Sequence, residues 1–145
     1  MDVGSVCKRP AVTCDTATTL EEAARLMRQH NVGCLVVLHR GAMVGVVTDR
    51  DLVTRGIAAD MGLSAPVEAL MSTDVALAFE SDDLESAATL MAARGLRRLP
   101  VLDVHSAVQG VLSLDDLVPV FADQTQRLSV AVRAELHRGA LDVPS

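Results

Sequence analysis

The chain has 145 residues, of which 50% are hydrophobic and 22% charged, and its formal net charge is −6. This composition is typical of one compact domain, or of two small halves that share a core, and excludes a disordered chain. The negative charge and the absence of Trp and Tyr speak against nucleic-acid binding, which favours a basic surface and often uses aromatic stacking.

Membrane, export and metal signals are also missing from the sequence. No apolar run approaches the ~18 residues of a membrane span, and Met1–Ser5 has no basic region followed by an apolar one, so we expect a cytoplasmic protein without membrane contact. Cys7, Cys14 and Cys34 form no CxxC pair, and the histidines are scattered. We therefore expect no metal site, and interpret the cysteines as small buried thiols in a reducing compartment.

The chain contains an internal repeat. Leu20–Leu38 and Leu84–Leu102 are identical at 9 of 19 positions, and after a one-residue insertion Gly45–Val53 matches Gly110–Val118. We divide the chain into a first repeat with linker at 1–64, a second repeat at 65–122, and a tail at 123–145. Two like units in one chain tend to pack about a local two-fold axis, which creates a cleft with related chemistry on both sides.

The first repeat is predicted to form a β-α-β-β-α unit. One helical turn at Gly4–Cys7 precedes a short strand at Ala11–Cys14. The first long helix of the repeat ends at 31–33. Strands at Cys34–Leu38 and Val44–Thr48 then form a hairpin, and a further helix begins at Asp49. The first long helix is predicted from an apolar stripe at i, i+3, i+4 and i+7, formed by Leu20, Ala23, Ala24 and Met27.

The second repeat predicts the same elements. A one-turn helix at Pro66–Met71 and a short strand at Val75–Ala78 precede a helix that ends at Gly95. Strands at Leu99–Leu102 and Val108–Ser113 are followed by a helix that begins near residue 114. The stripe of the first helix is formed by Leu84, Ala87, Ala88 and Met91. In both repeats the paired alanines would allow the helix to approach a sheet closely.

Capping signals and the tail complete the predicted elements. Thr18-x-x-Glu21 and Asp82-x-x-Glu85 are predicted to begin the two long helices. In the tail, residues at i, i+4 and i+8 predict an additional amphipathic helix within 123–138, and these residues are Leu128, Val132 and Leu136. We expect this helix to cover an apolar surface, either of the same chain or of a second subunit.

The repeated pattern resembles a known family. An opening turn, Leu-Glu-x-Ala-Ala-x-Leu-Met, an apolar strand and Gly-Val-h-[Thr/Ser]-x-x-Asp-Leu-Val occur twice, as in a pair of CBS domains (cystathionine β-synthase domains, the Bateman module). The resemblance covers residues 3 to about 121. It implies an α+β fold in which two β-α-β-β-α repeats pack sheet to sheet about a pseudo-two-fold axis. It also implies two related clefts, which in this family commonly hold AMP, ADP, ATP or S-adenosylmethionine.

The resemblance also implies binding residues. In the family the Asp of the Gly-h-h-[Thr/Ser]-x-x-Asp motif takes ribose hydroxyls, and basic residues before the partner repeat's second strand hold phosphate. Carried over by position, the main cleft would use Thr48, Asp51, Arg97, Arg98, Leu99 and Pro100. The second, weaker cleft would use Ser113 and Asp116 with Gly33, Cys34, Leu35 and Val36. We expect the Asp51 cleft to be the tighter one because the other cleft lacks both arginines, and alternation along a strand should send at most one arginine into a cleft.

Two simpler interpretations of these residues stay open at this point, and one is that Arg97 and Arg98 form a solvated edge of the strand. Thr48-x-x-Asp51 and Ser113-x-x-Asp116 also fit the capping-box pattern, and capping and ligand binding can coexist. The adjacent carboxylates Asp115 and Asp116 have no nucleophile, His base or ligand cluster beside them, and the same holds for Asp49 and Asp51. We therefore expect neither catalysis nor a cofactor.

The sequence is interpreted as a stand-alone regulatory module that binds an adenosyl nucleotide. No catalytic domain is recognised in the sequence, so a homodimer of CBS pairs is expected to pass the bound state to an unidentified protein partner by association or shape change. The alternative is a non-catalytic stress-response or interaction protein whose clefts bind no physiological nucleotide.

Overall fold

Two three-stranded sheets form the framework of the computed structural model, which describes residues 1–142. In each sheet the first strand pairs parallel with the second, and the second pairs antiparallel with the third. The first sheet contains β1 (Thr13–Asp15), β2 (Cys34–His39) and β3 (Ala42–Thr48), and the second contains β4 (Ala78–Phe79), β5 (Arg98–Leu102) and β6 (Val108–Ser113). The two repeats are pseudo-symmetric, and the predicted α+β class with two β-α-β-β-α units is confirmed.

Helices follow the first and third strands of each sheet. They are α1 (Leu20–His30), α2 (Asp49–Asp51, continued by a π-helical segment Leu52–Ile57), α3 (Leu84–Arg94) and α4 (Leu114–Asp142). Leu20, Ala23 and Met27 of α1 are buried in the core of the first repeat, as predicted. Ala24, however, is exposed, so only one alanine of the pair lets α1 approach its sheet. None of the helices within residues 1–142 is long and apolar enough to cross a membrane.

The long helices begin one residue later than predicted. Thr19 caps α1, since its hydroxyl accepts from the N–H of Glu22 at 3.2 Å and the Glu22 carboxylate accepts from the N–H of Thr19 at 3.1 Å. Asp83 caps α3 without a reciprocal bond, since its carboxylate accepts from the N–H of Ser86 at 2.7 Å. The predicted caps close the preceding turns instead: the Thr18 hydroxyl accepts from Asp15 N–H at 3.0 Å, and the Asp82 carboxylate from Phe79 N–H at 2.9 Å.

The opening turns of the two repeats are exchanged. Val3, in a 3₁₀ turn at Val3–Ser5, has 0% exposure and lies in the core of the second repeat, while Val67, in the matching turn Val67–Ala69, lies in the core of the first. Lys8 then forms an isolated bridge with Val111 of β6, and Ser72 forms the equivalent bridge with Val46 of β3. The repeats of the sequence are therefore not separately packed bodies.

The tail is not an additional helix, because residues 123–142 continue α4 without interruption from Leu114. The predicted stripe is exposed, with relative exposures of 67% for Leu128, 53% for Val132 and 69% for Leu136. The expectation that this stripe covers a surface of its own chain is therefore wrong, and the version in which a second subunit covers it stays a prediction.

Candidate functional site

The clefts are formed by the sheet faces that point away from the two cores. Leu35 and Leu99 are fully buried in the cores, so the structure does not place these two predicted residues on a cleft wall. Their strand neighbours Cys34, Arg98 and Pro100 lie on the opposite face and line the clefts. This division follows from the period of two along a strand. Val36 is also fully buried on that face, but it is not part of either cleft lining.

The Asp51 cleft is a cavity of about 530 Å³ between the repeats. The structure brings together five of its six predicted residues, namely Thr48, Asp51, Arg97, Arg98 and Pro100. Both arginines line this cleft, which corrects the expectation of only one. The reason is that Arg97 precedes β5, so the alternation of a strand does not apply to it. The remaining lining residues are Cys34, Val46, Asp49, Arg50, Ser72, Asp74, Val75, Ala76, Gly95 and Leu96.

Thr48 and Asp51 form a capping box at the start of α2. The N–H of Thr48 donates to Oδ2 of Asp51 at 2.9 Å, and the N–H of Asp51 donates to the hydroxyl of Thr48 at 3.1 Å. The capping interpretation is thus correct for both residues. Oδ1 of Asp51 is not used by the box; its nearby cation is Arg55, whose Nε lies 3.8 Å away. With its side chain 15% exposed, Asp51 can cap the helix through one oxygen and accept from a ligand through the other.

The Asp116 cleft repeats this arrangement in a smaller cavity of about 180 Å³. The N–H of Ser113 donates to Oδ2 of Asp116 at 2.9 Å, and the N–H of Asp116 donates to the Ser113 hydroxyl at 3.3 Å. Oδ1 of Asp116 lies 3.9 Å from Nζ of Lys8. The lining includes the predicted Gly33, Cys34, Ser113 and Asp116.

The expectation that the Asp116 cleft lacks a nearby arginine is wrong. Arg98 lines this cleft as well as the other, and Lys8 adds a second cation. Sequence reasoning missed Lys8 because it belongs to the first repeat and reaches β6 only through the exchange of opening turns. The similarity between the opening turns of the two repeats was the sequence feature from which the position of Lys8 could have been predicted.

Cys34 lines both clefts, and burial raises the pKa of its thiol to about 11. The thiol is therefore protonated at neutral pH, a state in which it is a poor nucleophile. Cys14 pairs with Val37 and faces the core of the first repeat, on the side of the sheet opposite Cys34. Residues 1–142 contain no cluster of His, Cys, Asp and Glu arranged to hold a metal ion.

The repeated fold and its paired clefts agree with comparisons to known proteins. The model of the CBS domain family matches residues 3–57 and 67–123. The chain therefore belongs to the CBS domain family, as its repeats indicated. The CBS domain-containing protein YhcV of Bacillus subtilis is 41% identical over 99 residues, which are 68% of this chain and 70% of that protein.

Solved structures of CBS domain proteins share the fold. The protein PAE2072 from Pyrobaculum aerophilum, complexed with AMP, is 27% identical with a TM-score of 0.74, over 81% of this chain and 90% of that chain. CBSX2, also in complex with AMP, is 25% identical with a TM-score of 0.70, over 86% of this chain and 98% of that chain. CBS domain pairs of this fold thus bind adenosine nucleotides.

Proposed function

We propose that this chain is a regulatory, non-catalytic module that binds an adenosyl nucleotide in the Asp51 cleft. The observation that carries the proposal is that Asp51, Arg97 and Arg98 line one cavity of about 530 Å³. Pockets for small molecules have volumes of roughly 300–1,000 Å³. The Asp116 cleft, at about 180 Å³, lies below this range, and volume rather than an absence of cations favours the Asp51 cleft.

The chemistry of the Asp51 cleft fits an adenosine phosphate. Oδ1 of Asp51 can accept from two vicinal ribose hydroxyls, and Arg97 and Arg98 offer planar sets of donors suited to a phosphate. An apolar part of the wall suits the planar base, and it consists of Val46, Val75, Ala76, Leu96 and Pro100. The AMP complexes of PAE2072 and CBSX2 support the same ligand class.

A thermal-shift screen with AMP, ADP, ATP, S-adenosylmethionine and NAD tests this proposal. Ligand at 100 times its Kd adds about 2.7 kcal/mol to the free energy of unfolding. For a chain of this size that corresponds to a rise in Tm of roughly 5–10 °C. If no adenosyl compound at millimolar concentration shifts the Tm, the interaction protein without a physiological nucleotide becomes the better interpretation.

The proposal includes a homodimer that transmits the bound state to a protein partner. The exposed stripe Leu128, Val132 and Leu136 continues along α4 from an apolar groove between α3 and α4. A two-fold axis would bury the same surface of both subunits. Three free cysteines, two of them buried, are consistent with a reducing compartment such as the cytoplasm.

A further inference from the structure

Arg98 lies on the boundary between the two clefts and lines both of them. It is the first residue of β5, and its Cα is paired with that of Ser113 in the Asp116 cleft. A Cβ atom added to Gly33 would lie 2.8 Å from Nη2 of Arg98 and 2.8 Å from Oδ2 of Asp49. The guanidinium therefore lies against Gly33, in space that is free because Gly33 has no side chain.

The repeats differ at the positions that create this arrangement. Gly33 and Cys34 of the first repeat stand where the second repeat has Arg97 and Arg98. With a basic pair in both repeats, each cleft would have cations of its own. In this chain the first repeat has no cation at these two positions, and Gly33 leaves space for the side chain of Arg98. Arg98 of the second repeat therefore lines both clefts.

The charges of both clefts depend on this one side chain. The Asp116 cleft has two cations and two carboxylates in its lining, Lys8 and Arg98 with Asp115 and Asp116. The Asp51 cleft has three of each, Arg50, Arg97 and Arg98 with Asp49, Asp51 and Asp74. When the guanidinium of Arg98 is engaged in one cleft, the other loses one of the cations that line it. A cleft that loses a cation attracts a phosphate less strongly.

We propose that Arg98 couples the two clefts negatively. A phosphate-bearing nucleotide in the Asp51 cleft draws the guanidinium towards itself and lowers the affinity of the Asp116 cleft for a second one. By linkage the effect is reciprocal. The chain then holds one nucleotide phosphate at a time although its binding motif is duplicated. This inference rests on the proposed function, since it requires the clefts to take a phosphate-bearing ligand.

Calorimetric titration with AMP tests the coupling, and the amide NMR signals of Thr48 and Ser113 in the ¹⁵N-labelled full chain assign the occupied cleft. Asp51→Asn weakens the Asp51 cleft and leaves Arg98 available to the other. We expect the Asp116 cleft of this variant to bind AMP at least about tenfold more tightly than the second binding step of the wild-type chain, as for one charge-assisted hydrogen bond.

Two double variants separate Arg98 from its neighbour. Arg98→Gln added to Asp51→Asn should abolish the gain in affinity. Arg97→Gln added to Asp51→Asn is the matched control and should preserve the gain, because Arg97 lines only the Asp51 cleft. Its one contact with the other cleft is an exposed pair with Asp115 at 4.0 Å, and exposed ion pairs contribute little. If the Arg98→Gln chain does not fold, Arg98→Lys, which keeps the charge but loses the planar donors, should reduce the gain.

The outcomes distinguish this inference from the proposed function. The coupling is overturned by equal affinities of the Asp116 cleft in wild type and Asp51→Asn, by no AMP binding there in Asp51→Asn, or by a gain that persists without Arg98. In each of these cases AMP binding to the Asp51 cleft leaves the proposed function standing. A wild-type chain that binds AMP in neither cleft overturns both.

Discussion

Replacing Asp51 by Ala should weaken AMP binding about 10–150-fold. One carboxylate oxygen of Asp51 is held by the N–H of Thr48 at 2.9 Å, and the other is available to the cleft. The substitution removes this acceptor from beside two arginines. Hydrogen bonds to a charged group contribute about 1.5–3 kcal/mol, which corresponds to the stated change in Kd.

The same substitution breaks the capping box of α2, and loss of such a cap costs about 0.5–2 kcal/mol of stability. Asp51→Asn separates the two effects, because its amide oxygen can still accept from Thr48 while the charge is lost. We therefore expect Asp51→Asn to bind AMP weakly but to unfold at a temperature closer to that of wild type than Asp51→Ala does.

Calorimetry suits this measurement because the chain has no Trp or Tyr to report binding by fluorescence. Asp116→Ala is the matched control, since it breaks the equivalent box with Ser113 in the smaller cleft. It should cost similar stability and leave the tight site nearly intact. Wild-type affinity in Asp51→Ala, or equal loss through Asp116→Ala, would refute the assignment of the ribose acceptor.

Three further predictions follow from the fold. Truncation after Ala122 removes the exposed stripe of α4 and should convert a dimer to a monomer in analytical ultracentrifugation. If the truncated chain has the same oligomeric state as the full chain, a dimer formed through the tail is contradicted. Val3→Ala should destabilise the chain by about 1–3 kcal/mol. Although Val3 belongs to the first repeat by sequence, the substitution should lower the hydrogen-exchange protection of Leu112 in the second repeat. If protection is lost only in the first repeat, the exchange of opening turns is refuted. Burial raises the pKa of Cys34 and of Cys14 from 9.0 to about 11, so in that window the unfolded chain loses thiol protons that the folded chain keeps. The free energy of unfolding is therefore highest below pH 9 and should decrease by at most about 2–3 kcal/mol per thiol as the pH rises to 11. In chemical denaturation, Cys34→Ala should make this decrease smaller. An unchanged pH dependence in the variant would contradict the buried thiol.

Much of the fold follows from local patterns. The buried positions of α1 and α3 recur at helical spacing, and β6 has the bounds that its apolar run predicted. The prediction placed the start of α1 one residue too early because either Thr18 or Thr19 could cap the helix. The choice between them was decided by a hydrogen bond that the N–H of Asp15 donates to the Thr18 hydroxyl, which no helical pattern contains.

The candidate site was predictable only where its residues lie within one motif. Thr48 and Asp51 lie within the repeated Gly-h-h-[Thr/Ser]-x-x-Asp motif, and the family resemblance assigned them to the site. Lys8 reaches its cleft through a crossing between the repeats, which is a non-local contact. Leu99 was carried over by position from the family pattern, although strand alternation turns it into the core. Arg98 lines two clefts because Gly33 has no side chain to fill the space that the guanidinium occupies. A comparison of motifs does not detect the absence of a side chain.

The exchange of opening turns bears on how such a chain can arise by duplication. A single repeat whose opening turn reaches outward leaves its own core without the valine that fills it, at the place where Val67 and Val3 now lie. Two copies can close each other's cores as separate chains or, as here, within one polypeptide. Selection then acts on the pair as one cooperative folding unit. The halves can then differ in their cleft residues, as they do at Gly33 and Arg97, while the reciprocal turns keep the halves together.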